Sequence, residues 1–290
     1  MPHKDLHAET RRIALLHNPR AGKGRALQVM EQIQQKLIQR KTAFESYAAD
    51  WPSDLNRFSE VWLVGGDGSL NYFINVYGPV NIPMAIFKGG SGNDFAWMLY
   101  GNKSVDDYFE TAFNRETKRV DLGICNGRYF LNGVGVGFDG DVVKAMGAKR
   151  FFSAGHLAYL AVVLRRILQF SEKNISLSWP LYQRTESLFM VNVANGSRYG
   201  GGFMVAPEAS LTDGLLDLII VKPIGKFKRF FYLPKIEKGT HLGLPFVESF
   251  HCTRIMISSE QLLTGHLDGE LMESRSFQIE VLPGKLEICC

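Results

Sequence analysis

Hydrophobic and polar residues follow two alternating patterns over the first 117 positions of this 290-residue chain. Short apolar runs predict buried β-strands at 12–16, 44–48, 61–64 and 83–87. Apolar residues spaced three and four positions apart predict amphipathic helices at 26–39, 70–76, 93–100 and 105–113. This alternation is typical of a parallel sheet covered by helices on both faces. Segment 50–60 is short for a helical crossover, and predicts one turn of helix or none.

After residue 117 strand-like runs dominate, bounded by Gly, Asn, Asp and Pro as in antiparallel sheets. Strands are predicted at 119–124, 128–136, 175–179, 188–194, 215–221, 254–258 and 277–282. Two helices are predicted, near 152–169 and near 226–238. We therefore predict an α/β plus mainly β fold. Residues 1–118 form a parallel-sheet α/β domain, residues 119–290 form an antiparallel, sandwich-like β-rich domain, and the candidate site lies in the cleft between them.

Composition narrows the class of protein. Hydrophobic residues make up 46% of the chain and charged residues 21%, as in soluble globular proteins. The net charge of +4, without a long Lys/Arg run, does not support dedicated nucleic-acid binding, but suits an anionic nucleotide or membrane surface. The N-terminus is polar and no apolar stretch approaches the ~18 residues of a membrane span, so we predict a cytoplasmic location. The four cysteines show neither metal-binding spacing nor a disulfide framework.

Glycine-rich turns carry the strongest chemical signal. Segment 63–71 reads LVGGDGSLN, segment 89–95 reads GGSGNDF and segment 18–24 reads NPRAGKG, each directly after a predicted strand. Exposed backbone N–H groups at such strand–turn–helix junctions bind phosphate, and glycine lets the phosphate come close. We therefore predict an ATP-using kinase. The predicted nucleotide-binding residues are Asn18, Pro19, Gly22, Lys23, Gly65, Gly66, Asp67, Gly68, Ser69, Asn71, Gly90, Ser91, Gly92, Asn93 and Asp94.

Further motifs follow the three glycine turns, namely VDLG at 120–123 and segments 132–139, 195–217 and 268–270. With these motifs the chain resembles the diacylglycerol kinase catalytic family, whose motifs occur here in the same order. That family includes bacterial lipid kinases and the related sphingosine and ceramide kinases, and the resemblance covers nearly the whole chain. It implies a lipid kinase that transfers the γ-phosphate of MgATP to the hydroxyl of diacylglycerol or a related lipid alcohol. It also implies ATP and Mg²⁺ as cofactors and a peripheral place at the membrane, where the lipid substrate lies.

The resemblance further implies that the Asp-Gly-Glu motif at 268–270 folds back to the cleft between the domains. We predict Asp268 as general base and Glu270 as a metal-linked or orienting carboxylate. Residues two apart in an extended segment point the same way, so both side chains can face one cleft. Asp67 is predicted to act through Mg²⁺ or by orienting the acceptor hydroxyl, and Asp121 to join this acidic network.

A second cation is implied by the loop at 210–215. In bacterial relatives this loop holds a structural Mg²⁺ with one aspartate and flanking carbonyl groups. Carried over to this sequence, the ligands are Asp213 and the carbonyls of Ser210 and Leu215. The alternative is that Asp213 is an ordinary turn residue.

Two other functions stay open. A lone GGDG motif is shared with NAD kinases and phosphofructokinases, so the acceptor can be soluble, with NAD as the obvious case. A non-catalytic nucleotide-sensing module is the second alternative. The sequence leaves the lipid and the oligomeric state open. It also leaves open whether two aromatic and basic segments, 149–152 and 226–232, contact a membrane or pack on a core.

Overall fold

The computed structural model describes residues 11–48, 50–147, 155–180 and 182–290, and the predicted segment 149–152 lies outside these ranges. The α-helices are α1 Arg25–Gln39, α2 Asp67–Tyr77, α3 Asp94–Tyr100, α4 Val105–Phe113, α5 Phe138–Met146, α6 Gly155–Arg166 and α7 Lys228–Glu237. The strands are β1 Arg12–His17, β2 Ala43–Tyr47, β3 Glu60–Gly65, β4 Met84–Lys88, β5 Thr117–Cys125, β6 Arg128–Phe130, β7 Gly133–Gly137, β8 Lys173–Trp179, β9 Tyr182–Leu188, β10 Met190–Ala194, β11 Leu216–Val221, β12 Val247–Cys252, β13 Arg254–Leu267 and β14 Glu270–Cys289.

The first four strands form the predicted parallel sheet, in the order β2-β1-β3-β4. All six residues of β3 are buried, because helices cover both faces of this sheet. Trp62 of β3 packs against Phe87 and Phe109, with ring centroids 5.4 and 5.5 Å apart. Segment 50–60 contains no helix. Because the strands run parallel, the turns that follow β1, β3 and β4 all lie at the same edge of the sheet.

The second half is β-rich as predicted, but several elements differ from the sequence-based boundaries. Predicted strand 128–136 is two strands, β6 and β7, and predicted strand 188–194 is the end of β9 followed by β10. Strands β9 and β12 were not predicted, because neither forms an apolar run: β9 reads YQRTESL and β12 reads VESFHC. Helix α5 was not predicted either, because its first turn contains a glycine and two aspartates.

The last strand connects the two halves of the molecule. β14 begins in a hairpin with β13, pairs with β5 along its second half, and ends with Ile288 beside Met84 of β4. Leu286, Ile288 and Cys289 belong to the same hydrophobic core as the parallel sheet. The predicted domain boundary between residues 118 and 119 falls inside β5, which is one continuous strand from Thr117 to Cys125. The position of the boundary stays a prediction. None of the helices in the described ranges is both long enough and apolar enough to cross a bilayer.

Candidate active site

The three glycine turns pack directly against one another at the carboxyl edge of the parallel sheet. A Cβ added to Gly22 would lie 2.2 Å from the carbonyl oxygen of Gly89, and one added to Gly90 would lie 2.4 Å from Cα of Gly66. No side chain fits at these contacts, so glycine is required there. This packing gathers the predicted turn residues, namely Pro19, Gly22, Lys23, Gly65, Gly66, Gly68, Ser69, Gly90, Ser91 and Gly92.

Two asparagines predicted to bind nucleotide close their own turns. The Asn18 side-chain oxygen accepts a hydrogen bond from the Arg20 amide at 3.0 Å. The Asn93 side chain accepts from the Gly90 amide and donates to the Gly90 carbonyl, both at 2.8 Å. Asn93 has a φ of 55°, a left-handed conformation that asparagine tolerates. These bonds fix the shape of the turns and leave Lys23 and Ser91 exposed at their tips.

Asp67 and Asp94 bring two carboxylates to this edge. The Asp67 carboxylate accepts a hydrogen bond from the Phe95 amide at 3.1 Å. A Cβ on Gly92 would lie 3.0 Å from Oδ2 of Asp67 and 3.5 Å from Oδ2 of Asp94, so both carboxylates flank this glycine. Burial, together with the negative charge of Asp94, raises the pKa of Asp67 to about 7.

The second domain binds Asp94 through a loop that follows β10. Arg198 Nε donates to one carboxylate oxygen of Asp94 at 2.7 Å, and the Gly201 amide donates to the other at 2.8 Å. The Arg198 guanidinium also lies over the Trp97 ring, 4.4 Å from its centroid. Arg198 was not among the residues predicted from the sequence. The feature that could have indicated it is its position as the one basic residue between the Asn-Gly and triple-glycine motifs of segment 195–202.

Asp268 lies in a tight turn and not in the predicted extended segment. Asp268 and Gly269 have φ values of 48° and 88°, and they form the two-residue connection between Leu267 and Glu270 of the β13–β14 hairpin. Asp-Gly is a preferred pair for such a turn, a signal that the sequence analysis overlooked. The prediction that Asp268 and Glu270 point the same way from one extended segment was therefore wrong. Glu270 lies partly exposed at the start of β14.

The Asp268 carboxylate is buried and accepts four hydrogen bonds. Three come from successive backbone amides, Leu131 at 2.7 Å, Asn132 at 2.8 Å and Gly133 at 3.0 Å. The fourth comes from the Asn71 side chain at 3.2 Å. Burial raises the pKa of Asp268, and the amide donors oppose that rise. These amides belong to the two residues between β6 and β7 and to the first residue of β7, and their bonds to Asp268 explain why segment 128–136 is not one continuous strand.

Asp121 anchors the loop that was predicted to hold a structural cation. Its carboxylate accepts from the Gly214 and Gly284 amides, both at 2.7 Å, and its own amide donates to the Leu211 carbonyl at 2.7 Å. In the loop, Asp213 is exposed and its Oδ1 accepts from the Leu215 amide at 3.0 Å. Within the described ranges, no three His, Cys, Asp or Glu side chains cluster to hold a metal ion.

An apolar cavity of about 50 Å³ lies in the second domain between the sheet and helices α5, α6 and α7. Its wall is aromatic and aliphatic and includes Phe138, Ile167, Phe189, Phe203 and Leu233. Polar side chains also line it, among them Asp139, Tyr199, Arg229 and His241. The Tyr199 hydroxyl contacts the Asp139 carboxylate and the Asn192 side-chain oxygen. Tyr199 and Phe203 come from the same loop that binds Asp94, so this loop joins the cavity to the glycine turns.

Comparison with known proteins agrees with this geometry. A family model described as the YegS C-terminal NAD kinase beta sandwich-like domain matches residues 132–290, more than half of the chain. A second, described as the diacylglycerol kinase catalytic domain, matches residues 12–125. The chain belongs to the diacylglycerol kinase catalytic family. It is therefore a kinase, and membership of this lipid kinase family implies the use of ATP.

Relatives of this diacylglycerol kinase family member are similar over most of its length. A "Diacylglycerol kinase" of Bacillus subtilis (strain 168) is 26% identical over 90% of each chain. A "Probable lipid kinase YegS-like" protein of Chromohalobacter salexigens is 29% identical over 77% of this chain and 73% of the relative. A crystal structure described as a diacylglycerol kinase from Bacillus anthracis str. Sterne has the same fold, with a TM-score of 0.72, 19% identity and 98% of each chain covered.

Proposed function

We propose that this protein transfers the γ-phosphate of MgATP to the hydroxyl group of diacylglycerol or a related lipid alcohol at a membrane surface. The observation that carries this proposal is the loop from Arg198 to Phe203. It binds Asp94 beside the glycine turns and contributes Tyr199 and Phe203 to an apolar cavity. Gly201 and Tyr199 are two residues apart, which limits their Cα separation to about 7 Å. Phosphate-binding turns and an apolar cavity thus lie within reach of one amphiphilic acceptor.

In this proposal residues 1–118 bind the nucleotide. Backbone amides of the packed glycine turns hold the phosphates, and Lys23, Ser69 and Ser91 supply further donors. Residues 119–290 bind the acceptor, with its apolar part in the cavity. The cavity, at about 50 Å³, is narrow, so the acceptor enters by displacing side chains of the covering helices. One of these helices, α7, has exposed residues along its outer face.

The Asp94 carboxylate beside Gly92 fits a magnesium ion that the ATP phosphates also bind. Mg²⁺ prefers oxygen ligands and is usually held by one or two carboxylates together with phosphates, and the Asp94 carboxylate is fixed in place by Arg198 and the Gly201 amide. When bound there, Mg²⁺ neutralises negative charge on the transferring phosphates. The loop at 210–215 offers a second set of oxygen donors, the Asp213 carboxylate with the Ser210 and Leu215 carbonyls, for a structural Mg²⁺.

Among the four predicted catalytic carboxylates, we favour Asp67 as general base. A base with a pKa near the working pH accepts a proton most effectively, and that of Asp67 is raised to about 7. As the lipid hydroxyl oxygen attacks the γ-phosphorus, its proton passes to Asp67 and the bond from the γ-phosphorus to the leaving ADP oxygen breaks. Asp268 positions Asn71 and the amides of residues 131–133, Glu270 orients the acceptor, and Asp121 fixes the loop at 210–215.

A soluble acceptor remains the second candidate. The model that matches residues 132–290 describes an NAD kinase-like sandwich, which favours NAD as the acceptor to test. A nucleotide-sensing module without turnover is opposed by membership of a kinase family.

The deciding experiment is transfer of radiolabelled γ-phosphate from MgATP, with a total lipid extract, purified diacylglycerol or NAD as acceptor. We expect a labelled lipid from the wild type and none from Asp67→Asn. Glu31→Gln, a change at an exposed acid of α1, is the matched control and keeps full activity. Labelled NADP with no labelled lipid would replace this proposal by the second candidate. ATP binding with no labelled product from any acceptor would favour the sensing module.

A further inference from the structure

The last helix, α7, exposes two large aromatic side chains. Phe227, at its N-cap, is 79% exposed, and Phe231 is 78% exposed. Residues four apart on a helix project from the same face, so the two rings form one aromatic patch. Their neighbours Phe230 and Tyr232 are partly buried, and Tyr232 packs on Phe246 with ring centroids 4.7 Å apart. The aromatic segment therefore divides into residues that pack inward and residues that face solvent.

Lysines accompany this patch. The exposed positions from 227 onwards recur at intervals of three and four residues and form one stripe, made of Phe227, Phe231, Pro234, Lys235 and Lys238. Exposed Lys226 and Lys228 border its first turn. Long lysine side chains beside exposed aromatic rings are the composition of helices that lie in the headgroup region of anionic membranes.

The inner face of α7 is fixed to the protein. Arg229 is 3% exposed, and its guanidinium donates to the carbonyls of Ile167 at 2.8 Å, Phe170 at 3.0 Å and Ile224 at 3.0 Å. It also pairs with the carboxylate of Glu172. Burial of a guanidinium is tolerated only with such full pairing. The outward orientation of the two phenylalanines therefore follows from anchored packing on the opposite side of the helix.

The same helix forms part of the cavity wall. Leu233 and Ile236, on the inner face, line the apolar cavity, while Phe231 and Lys235 lie on the outer face. One helix diameter thus separates the aromatic and basic stripe from the proposed acceptor site.

We propose that the outer stripe of α7 docks this protein on an anionic phospholipid bilayer. Phe227 and Phe231 enter the boundary between headgroups and acyl chains, and Lys226, Lys228, Lys235 and Lys238 contact lipid phosphates. The positive stripe favours this occupant over a second copy of the chain, because two copies of one stripe repel each other. The proposal rests on the proposed lipid kinase function and adds the surface through which the acceptor is reached.

Sedimentation with vesicles tests the docking without any activity assay. We expect wild-type protein to bind vesicles of equal parts phosphatidylglycerol and phosphatidylcholine, and to bind phosphatidylcholine vesicles weakly. The double variant Phe227→Ser, Phe231→Ser is expected to lose at least about tenfold in partitioning, since two apolar side chains no longer enter the interface. The matched control is Ile38→Ser, a change at a side chain on α1 that is 65% exposed, and it should bind as wild type does.

A charge variant separates docking from folding. Lys228→Glu with Lys235→Glu removes two attractive contacts, each expected to contribute about fivefold to anionic vesicle binding. This variant leaves both phenylalanines in place, so it still tests the stripe if the aromatic variant melts early. The charge variant should phosphorylate lipid dispersed in neutral detergent micelles at the wild-type rate, because a neutral micelle offers no anionic surface for the lysines to bind.

Each outcome has a distinct meaning. Vesicle binding that survives both double variants would overturn the docking proposal and leave the kinase proposal intact. Failure of the wild type to phosphorylate lipid in micelles, with vesicle binding still dependent on the stripe, would overturn the kinase proposal alone. A wild-type dimer that the aromatic variant converts to a monomer, with no vesicle binding by either, would replace the bilayer by a second copy.

Discussion

The side-chain amide of Asn71 donates a hydrogen bond to the carboxylate of Asp268 at 3.2 Å, across the cleft between the two halves of the protein. Asn71 lies on α2, directly after the glycine turn of β3, and Asp268 lies in the β13–β14 turn. The same carboxylate caps the three successive amides of residues 131–133. Asp268 therefore links the β13–β14 turn and residues 131–133 of the second half to α2, the helix that follows the glycine turn of β3.

Asp268→Asn is expected to lower the free energy of unfolding by about 2 kcal/mol, because an amide replaces an acceptor that satisfies three buried N–H groups. Glu270→Gln, two residues away and partly exposed, should change it by less than about 0.5 kcal/mol. Urea denaturation of both variants measures the difference. Equal effects would contradict the bracing role of Asp268.

Asp67 should make stability depend on pH. Its pKa rises from 3.8 to about 7 on folding, so the folded state binds this proton more tightly than the unfolded chain does. The associated stability is present in acid and is lost as the pH rises through about 7. Asp67→Asn removes this titration. The unfolding free energy of Asp67→Asn minus that of the wild type should therefore increase by about 2 kcal/mol between pH 5 and pH 8.

Urea denaturation without Mg²⁺ measures this growth. Asp50→Asn, at an exposed aspartate, should show no such pH dependence and serves as control. A constant difference between Asp67→Asn and wild type across this pH range would refute the raised pKa.

Arg198 should couple stability to nucleotide binding. Arg198→Ala leaves the buried Asp94 carboxylate without its charged partner, which is expected to cost about 3 kcal/mol of unfolding free energy. Arg198→Lys keeps the charge but loses the planar contact with the Trp97 ring, and should fall between alanine and wild type. Denaturant titration, together with KM for ATP, measures both effects. An alanine variant as stable as Arg275→Ala, a change at an exposed arginine, would exclude the coupling.

Gly90→Ala tests the backbone contact between two turns. The added Cβ would lie 2.4 Å from Cα of Gly66, so one turn must move, with an expected loss of about 1–3 kcal/mol in stability. ATP binding should weaken at least about tenfold, because the phosphate-binding amides shift with the turn. Gly243→Ala, where nothing lies within 4 Å of the added Cβ, is the control. Calorimetric titration with ATP reads out the effect, and unchanged affinity in Gly90→Ala would count against these turns as the phosphate site.

The loop at 210–215 predicts stabilisation by Mg²⁺ that needs no nucleotide. At 100 times its Kd the ion should add about 2.7 kcal/mol to the unfolding free energy. Asp213→Asn should abolish this gain while Asp67→Asn retains it, since the two carboxylates belong to separate sites. Thermal melts with and without Mg²⁺ measure the gain. A gain that survives Asp213→Asn would identify Asp213 as an ordinary turn residue.

Local signals predicted the parallel half of the fold well. Strands β1, β3 and β4 are apolar runs and α1 has a strong helical period, so their positions depend little on the rest of the molecule. The gathering of three glycine turns at one sheet edge follows from parallel strand direction alone. By contrast, β9 carries charged and polar side chains from Gln183 to Ser187, and its sequence contains no apolar run to reveal it. Among the residues that the structure describes, β9 pairs with β8 alone.

The links across the cleft were beyond sequence reasoning. The bond between Asn71 and Asp268 and the pair of Arg198 with Asp94 join residues far apart in sequence, and no local period or spacing encodes such contacts. The Asp-Gly turn was readable, because this dipeptide between two strands is a hairpin signal. The hydrogen bonds between the Asn93 side chain and the Gly90 backbone could not be predicted, because an asparagine in a turn binds a ligand or its own backbone equally well.

The path of β14 has a consequence for how the protein is made. Leu286, Ile288 and Cys289 complete the core of the parallel sheet, and Ile288 pairs beside Met84. During synthesis the half that contains the parallel sheet emerges from the ribosome first, yet it lacks these side chains until the last strand has been translated. An exposed apolar edge must therefore be tolerated or shielded throughout translation of the second domain, and the two halves reach their native state together.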